Sequence, residues 1–255
     1  MSGRSWSDCP DDVQQRIVRL VDTLRGLLGA NLVGVYLHGS LALGSFNPVR
    51  SDVDLLVVTR RRVAAESRGP LAAVLLRGSA VDRKLEIDFM TTGDLHPWTY
   101  PPPFDFHFGE SQRTAFERSP MPRQQRTNAD LAAHVTIVRR VGIALVGPLP
   151  TETFPEVPAE HYRDALLRDV RWARERIEKY PVYGVLSGCR VLAYVRDAEI
   201  LSKAEAGLWG LRQAPPQVRP TIEKALAAYR SAPRDEGSFD PGELRRFTDW
   251  VQASL

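Results

Sequence analysis

A chain of 255 residues with 43% hydrophobic and 25% charged residues is long enough for one large or two modest domains, and its composition is that of a globular protein. No run approaches the roughly 18–20 apolar residues of a membrane span, and MSGRSWSDCPDD at the start lacks a signal peptide's apolar core. A net charge of +3 is too weak to argue for nucleic acid, and Cys9 and Cys189 have no metal-site spacing, so a reducing cytoplasm is expected.

In chain order, Asp11–Leu28 reads as a helix with Ile17, Leu20, Val21, Leu24, Leu27 and Leu28 on one face. Val33–His38 is apolar with a β-branched start and predicts a strand. Gly39-Ser40 permits a tight turn, after which Leu41-Ala42-Leu43 can begin a helix. Amides at such a start attract an anion such as a phosphate. Gly44, Asn47 and Pro48 return the chain to a second strand made of Val53 and Leu55–Val58. Asp52 and Asp54 open that strand. Side chains two residues apart share a strand face, roughly 6–7 Å apart. Two carboxylates held there repel unless a cation lies between them, and hard oxygen ligands suit Mg²⁺ bound together with substrate phosphates. From these residues alone, a surface turn beside a solvated strand end stays an alternative.

Arg60–Arg77 predicts a helix broken at Gly69-Pro70. Lys84–Thr91 alternates: Leu85, Ile87 and Phe89 share one face of a third strand, Glu86 and Asp88 the other. A carboxylate there could take a proton from a substrate hydroxyl, although acids are also ordinary on an exposed strand face. Leu95–Glu110 mixes prolines with aromatics and argues against regular structure; it reads as a stiff loop to which Asp105 and Glu110 bring acid. His38 reads as a structural residue at a strand end. Asn128–Val146 returns to helical periodicity, and Gly147–Pro158, with four prolines in twelve residues, is the expected boundary. Everything beyond it reads as helix: Ala159–Lys179, Val185–Leu201, a start at Ser202 with Glu205 completing a capping box, Pro220–Arg230 and Glu243–Ala253. The expected architecture is an α/β domain with a mixed sheet over residues 1–150 and an all-α bundle over 151–255, with a ligand cleft between them.

Gly39-Ser40 followed by Asp52-Val53-Asp54 resembles the nucleotidyltransferase superfamily. Over some 200 residues the chain is similar, within that superfamily, to the aminoglycoside adenylyltransferases that modify streptomycin and spectinomycin. The resemblance runs through LHGS…SDVDLLVV, LEID at Leu85–Asp88, the Pro97–Glu110 stretch ending in Phe-Gly-Glu, Cys189-Arg190-Val191-Leu192, Ser202-Lys203 with Trp209, and Tyr229. It implies ATP as co-substrate and two Mg²⁺ ions. Asp52 and Asp54 match the metal ligands, and Ser40 and Ser51, beside Gly39, match serines near the phosphates. Glu86 matches the catalytic base, and Arg190, Lys203 and Tyr229 match nucleotide contacts. Asp88, Asp105, Glu110 and Tyr180 are weaker candidates for contact with a small, hydroxylated and cationic acceptor.

Two positions depart from the streptomycin-modifying pattern. Ser111 follows Phe-Gly-Glu where those members have tryptophan, and Tyr180 stands where they carry an acid ten residues before the cleft arginine. The resemblance therefore implies spectinomycin rather than streptomycin as acceptor. The alternatives are nucleotidyl transfer to another small molecule, a protein or RNA, and a non-catalytic antitoxin-like module. The absence of a basic stripe argues against nucleic acid, and the presence of Asp52, Asp54 and Glu86 together argues against a dead site. The sequence carries no indication of oligomeric state.

Overall fold

The computed structural model describes residues 6–48, 50–79, 84–119, 122, 126–231 and 236–255. The N-terminal amphipathic stretch forms α1 (Asp11–Leu28), with Val13, Ile17, Leu20, Val21, Leu24 and Leu28 buried. Asp11 and Asp12 in its first turn and Arg25 in its last complement the helix dipole. The chain continues through β1 (Leu32–Leu37), the single turn α2 (Gly39–Ala42), β2 (Val53–Thr59), α3 (Ala65–Gly78) and β3 (Leu85–Thr91). Next come α4 (Thr92–Leu95), β4 (Phe106–Phe108), α5 (Arg113–Arg118), α6 (Leu131–Val141), β5 (Ile143–Val146) and α7 (Pro150–Thr153).

The five strands form one sheet in the order β4-β3-β2-β1-β5. β2 and β3 are parallel, whereas β1 is antiparallel to β2 and β5, and β4 is antiparallel to β3. Strand alternation then sorts the side chains. Val35, Leu37, Leu55, Val57, Leu85, Ile87 and Phe89 join the α1 stripe in one core. Tyr36, Leu56, Val58 and Met90 face the other way and pack with Leu131, Val135 and Val138 of α6. Burying each such side chain is worth about 1.5–3 kcal/mol, so both faces of the sheet are strongly specified. On the α6 face, Leu56, Val58 and Met90 are preceded by Asp54, Glu86 and Asp88 at the same parity. The face is apolar at its C-terminal end and acidic at the start of β2 and β3.

Four local expectations change. α3 starts at Ala65 rather than Arg60 and passes through Gly69-Pro70 unbroken. Pro70 lies in its second turn, where the missing amide removes one intrahelical bond. The Leu95–Glu110 stretch is not wholly irregular, because Phe106–Phe108 pairs with β3. The helix expected over Asn128–Val146 ends at Val141, and Ile143–Val146 pairs with β1 instead. The Gly147–Pro158 stretch holds α7; Phe154 is 1% exposed in the α6-side core, and Thr153 Oγ1 lies 2.7 Å from the Tyr36 hydroxyl.

The chain divides into two compact units, one ending at His161 and the other running Tyr162–Leu255. The second is helical, with α8 (Ala159–Glu175) leading into it, then α9 (Pro181–Asp197), α10 (Lys203–Gln213), α11 (Arg219–Arg230) and α12 (Pro241–Ala253). α9 is its centre: Val185, Leu186, Cys189 and Leu192 are fully buried, and α10, α11 and α12 pack against it. The expected capping box opens α10, with Ser202 accepting from the Glu205 amide and Glu205 accepting from the Ser202 amide. Among the described residues no helix is long and apolar enough to cross a membrane.

Candidate active site

β1 delivers the chain to Gly39, the first residue of α2, at φ +61°. A Cβ built there would lie 1.9 Å from Asp54 Oδ2, so only glycine lets the turn press against that carboxylate. The turn is closed by the Ser45 amide donating to the Ser40 carbonyl at 2.8 Å. Ser40 Oγ is buried without a hydrogen-bond partner, an orphan polar atom of the kind a bound oxyanion would satisfy. The loop from α2 to β2 is tied by Ser51, whose hydroxyl accepts from the Asn47 amide at 2.9 Å and whose own amide donates to the Asn47 carbonyl at 2.8 Å. Ser51 Oγ–H keeps its donor role. Asp52 and Asp54 are both partly exposed at the start of β2. This donor set fits Mg²⁺: two hard carboxylates two residues apart, one just before β2 and one within it, beside a glycine cradle and an unsatisfied serine hydroxyl. Among the described residues no group of three or more His, Cys, Asp or Glu side chains is placed to hold a metal ion by itself. A pair of carboxylates suits an ion that takes its other ligands from phosphates and water.

The parallel register places Glu86 directly opposite Asp54. Burial pushes the Glu86 carboxyl up; the charges of Asp52 and Asp88 push the same way, and His134 and His107 oppose them. Asp88, one pleat repeat on, has a side chain only 3% exposed with each oxygen engaged. His107 Nδ1 donates to Oδ1 at 2.8 Å, and His134 Nδ1 donates to Oδ2 at 3.1 Å. Burial works against ionising Asp88, but the two imidazole hydrogen bonds and charges hold its carboxyl far below the usual range. Burial likewise opposes protonation of His134, yet Asp88 foremost, then Glu86 and Asp54, hold it up at about 9. His107 is raised for the same reasons, against its burial and the charge of His134. The His38 ring is buried, with its centroid 5.1 Å from that of His134. Burial and the His134 charge push it down to about 3, so it stays neutral.

The placements of the weaker candidates differ from expectation. Asp88 is buried, and each of its oxygens accepts from a histidine. Asp105 accepts from the Val63 amide and from Arg68 Nη2, both at 2.6 Å, and holds the loop after β2 in place. Glu110 accepts from Arg113 Nε at 2.6 Å and from Ser79 Oγ at 2.7 Å. Those contacts outweigh its burial and lower its carboxyl pKa. Both acids therefore have partners within the fold. His107 and His134 escaped the sequence reading. The signals were present: His107 alternates with the buried Phe106 and Phe108, and His134 lies within the buried stripe of α6.

In the helical unit, Lys203 is the first residue of α10, with its ammonium 4.4 Å from the Tyr183 ring centroid. The Tyr183 hydroxyl donates to Asp169 Oδ1 at 2.6 Å. Burial, then Asp169, pushes that phenol up, opposed by Arg190 of α9. These helices therefore gather Lys203, Arg190 and Asp169 around one ring. Tyr229 is 8% exposed in α11. Tyr180 caps α9 and stacks on Trp172 at 6.0 Å, with Lys179 Nζ 5.2 Å from its ring centroid.

A mixed sheet with a Gly-Ser turn after its first strand, an Asp-x-Asp opening the second and an acid opposite it on the third defines a nucleotidyltransferase. Residues 17–120 match the nucleotidyltransferase domain family, and residues 152–254 match "Aminoglycoside adenylyltransferase, C-terminal domain". The chain thus joins a nucleotidyltransferase domain to the C-terminal domain of the aminoglycoside adenylyltransferases. It is 28% identical to an aminoglycoside (3'') (9) adenylyltransferase of Escherichia coli, over 96% of this chain and 95% of that one. It is also 28% identical to a spectinomycin 9-adenylyltransferase of Staphylococcus aureus, over 95% of each. The fold is shared with the crystal structure of spectinomycin adenyltransferase AAD(9) from Enterococcus faecialis with ATP and spectinomycin. That match has a TM-score of 0.81 at 22% identity and covers 94% of this chain and 98% of that one.

Proposed function

We propose that this enzyme transfers the adenylyl group of ATP to a hydroxyl of an aminocyclitol or aminoglycoside antibiotic, spectinomycin in preference to streptomycin, with release of pyrophosphate. The observation that carries the reading is the pairing of Asp54 with Glu86 across parallel strands, under the Gly39-Ser40 turn. Ser40 and Ser51 would donate to phosphate oxygens, and Arg190, Lys203 and Tyr229 are the proposed nucleotide contacts of the helical unit. Asp52 and Asp54 would hold two Mg²⁺ ions, which supply charge neutralisation for the triphosphate. The Glu86 carboxylate accepts the acceptor's hydroxyl proton. The freed oxygen bonds to the α-phosphorus as the bond from that phosphorus to the bridging oxygen breaks, and pyrophosphate leaves.

The preference for spectinomycin rests on the acceptor side. Ser111 offers no broad apolar face. Tyr180 offers no negative charge, and its ring neighbours are Trp172 and Lys179. A cationic group brought there would lack a carboxylate partner, which costs several kcal/mol when buried; spectinomycin is smaller and need not reach both positions. Asp52→Asn and Asp54→Asn test the core of the reading, since they remove metal-binding charge and keep shape. Pyrophosphate release with spectinomycin should be abolished in each, while the fold survives because two unliganded carboxylates repel. Near-wild-type release by either purified variant would refute the assignment.

A further inference from the structure

Outside the two aspartates proposed as metal ligands and Glu86, a concentrated polar cluster of the first unit surrounds Asp88. A carboxylate with a 3% exposed side chain accepts one hydrogen bond from β4 and one from α6, each through Nδ1 of a histidine. A buried charge so placed is costly unless it is fully paired, and a plain apolar side chain would pack the same space without that cost. Position gives the cluster its meaning. Asp88 lies two residues beyond Glu86 on the same strand face. Both hydrogen bonds to Asp88 run through Nδ1, so Nε2 of each ring lies on the side away from that carboxylate. A Cβ built on Gly109, just after β4, would lie 3.3 Å from His107 Nε2 and 3.4 Å from Glu86 Oε1. The imidazole and the base carboxylate therefore border the same small space, which Gly109 keeps clear.

We propose that Asp88, His107 and His134 form a positioning unit for Glu86. Asp88 orients both rings by their Nδ1 atoms, and the rings in turn fix the Glu86 carboxylate against the space where the acceptor hydroxyl arrives. This rests on the reading of Glu86 as the base. The unit joins β3, β4 and α6 at the level of that residue. Placing a reacting group to within a fraction of an ångström is worth orders of magnitude in rate. The unit does not touch the nucleotide in this scheme, so it acts on turnover and not on ATP affinity.

The test is a double-mutant cycle between Asp88→Asn and Glu86→Gln, with turnover expressed per active site by single-turnover titration and with KM for ATP measured alongside. Asp88→Asn alone should lower kcat by about 10- to 100-fold with KM for ATP unchanged. Added to Glu86→Gln it should lower kcat no further, because the carboxylate it positions is already gone. Full multiplication of the two losses, or wild-type kcat in Asp88→Asn, overturns the inference. Wild-type kcat in Glu86→Gln would instead overturn the base assignment, and the inference with it. Should Asp88→Asn fail to fold, His107→Asn leaves the Asp88–His134 pair standing and enters the same cycle with the same expected non-additivity.

Discussion

At the scale of single residues, Gly39 carries the sharpest constraint. It combines a left-handed backbone with a carboxylate where its side chain would be. Gly39→Ala adds a strain of about 1 kcal/mol from the backbone and forces Asp54 aside as well. Turnover should fall about 100-fold or more, the usual consequence of moving a catalytic group by about 1 Å, while the melting temperature drops only modestly. Turnover close to wild type in a folded Gly39→Ala protein would mean that the turn and Asp54 do not work as a unit. Gly39, Ser40, Asp52, Asp54 and Glu86 stand out in the sequence as candidates because their spacing is local: a turn, an i,i+2 pair and an alternating strand. The sequence left His107 and His134 illegible as partners of Asp88. Those contacts join positions 19 and 46 residues from Asp88 and exist only once β4 and α6 are packed onto β3. The Asp105–Arg68 pair, 37 residues apart, was hidden in the same way, whereas the Glu110–Arg113 pair spans only three residues and was legible as local spacing.

At the scale of elements, the acidic end of the sheet depends on α6 as much as on the strands. His134 is held at about 9 against an ordinary 6.5, chiefly by its hydrogen bond to Asp88 in spite of burial. A folded-state value above the unfolded one means stability that is full below about pH 6.5 and lost as pH rises through about 9. Asp88, depressed in the fold, contributes above its unfolded value of 3.8 and loses that as pH falls below it. The pair therefore helps most between about pH 4 and 6.5. His134→Asn should destabilise by on the order of 2–3 kcal/mol in that window and by much less above pH 9, read from urea unfolding at a series of pH values. A difference that does not change with pH would show that His134 contributes by packing alone. Element boundaries were legible where periodicity was unbroken, as in α1 and in the capping box of α10. They were not where pairing decided the outcome: Ile143–Val146 extends an amphipathic helical pattern, but the free edge of β1 takes it as a strand.

At the scale of the whole molecule, the two domain matches, the two-part organisation and the proposed nucleotide chemistry agree, and the acceptor is where the proposal is tested hardest. On the proposed reading, Ser111 and Tyr180 lack an apolar face and a charge that streptomycin modification would use, whereas the residues proposed for ATP and Mg²⁺ are all present. The most direct measurement is mass spectrometry of the products formed by the purified protein with ATP and Mg²⁺, given spectinomycin and streptomycin separately and then in competition. The account predicts a mono-adenylylated spectinomycin and pyrophosphate, with streptomycin modified far more slowly or not at all. Comparable adenylylation of both drugs, streptomycin alone, or ATP consumed without an adenylylated aminocyclitol would contradict it.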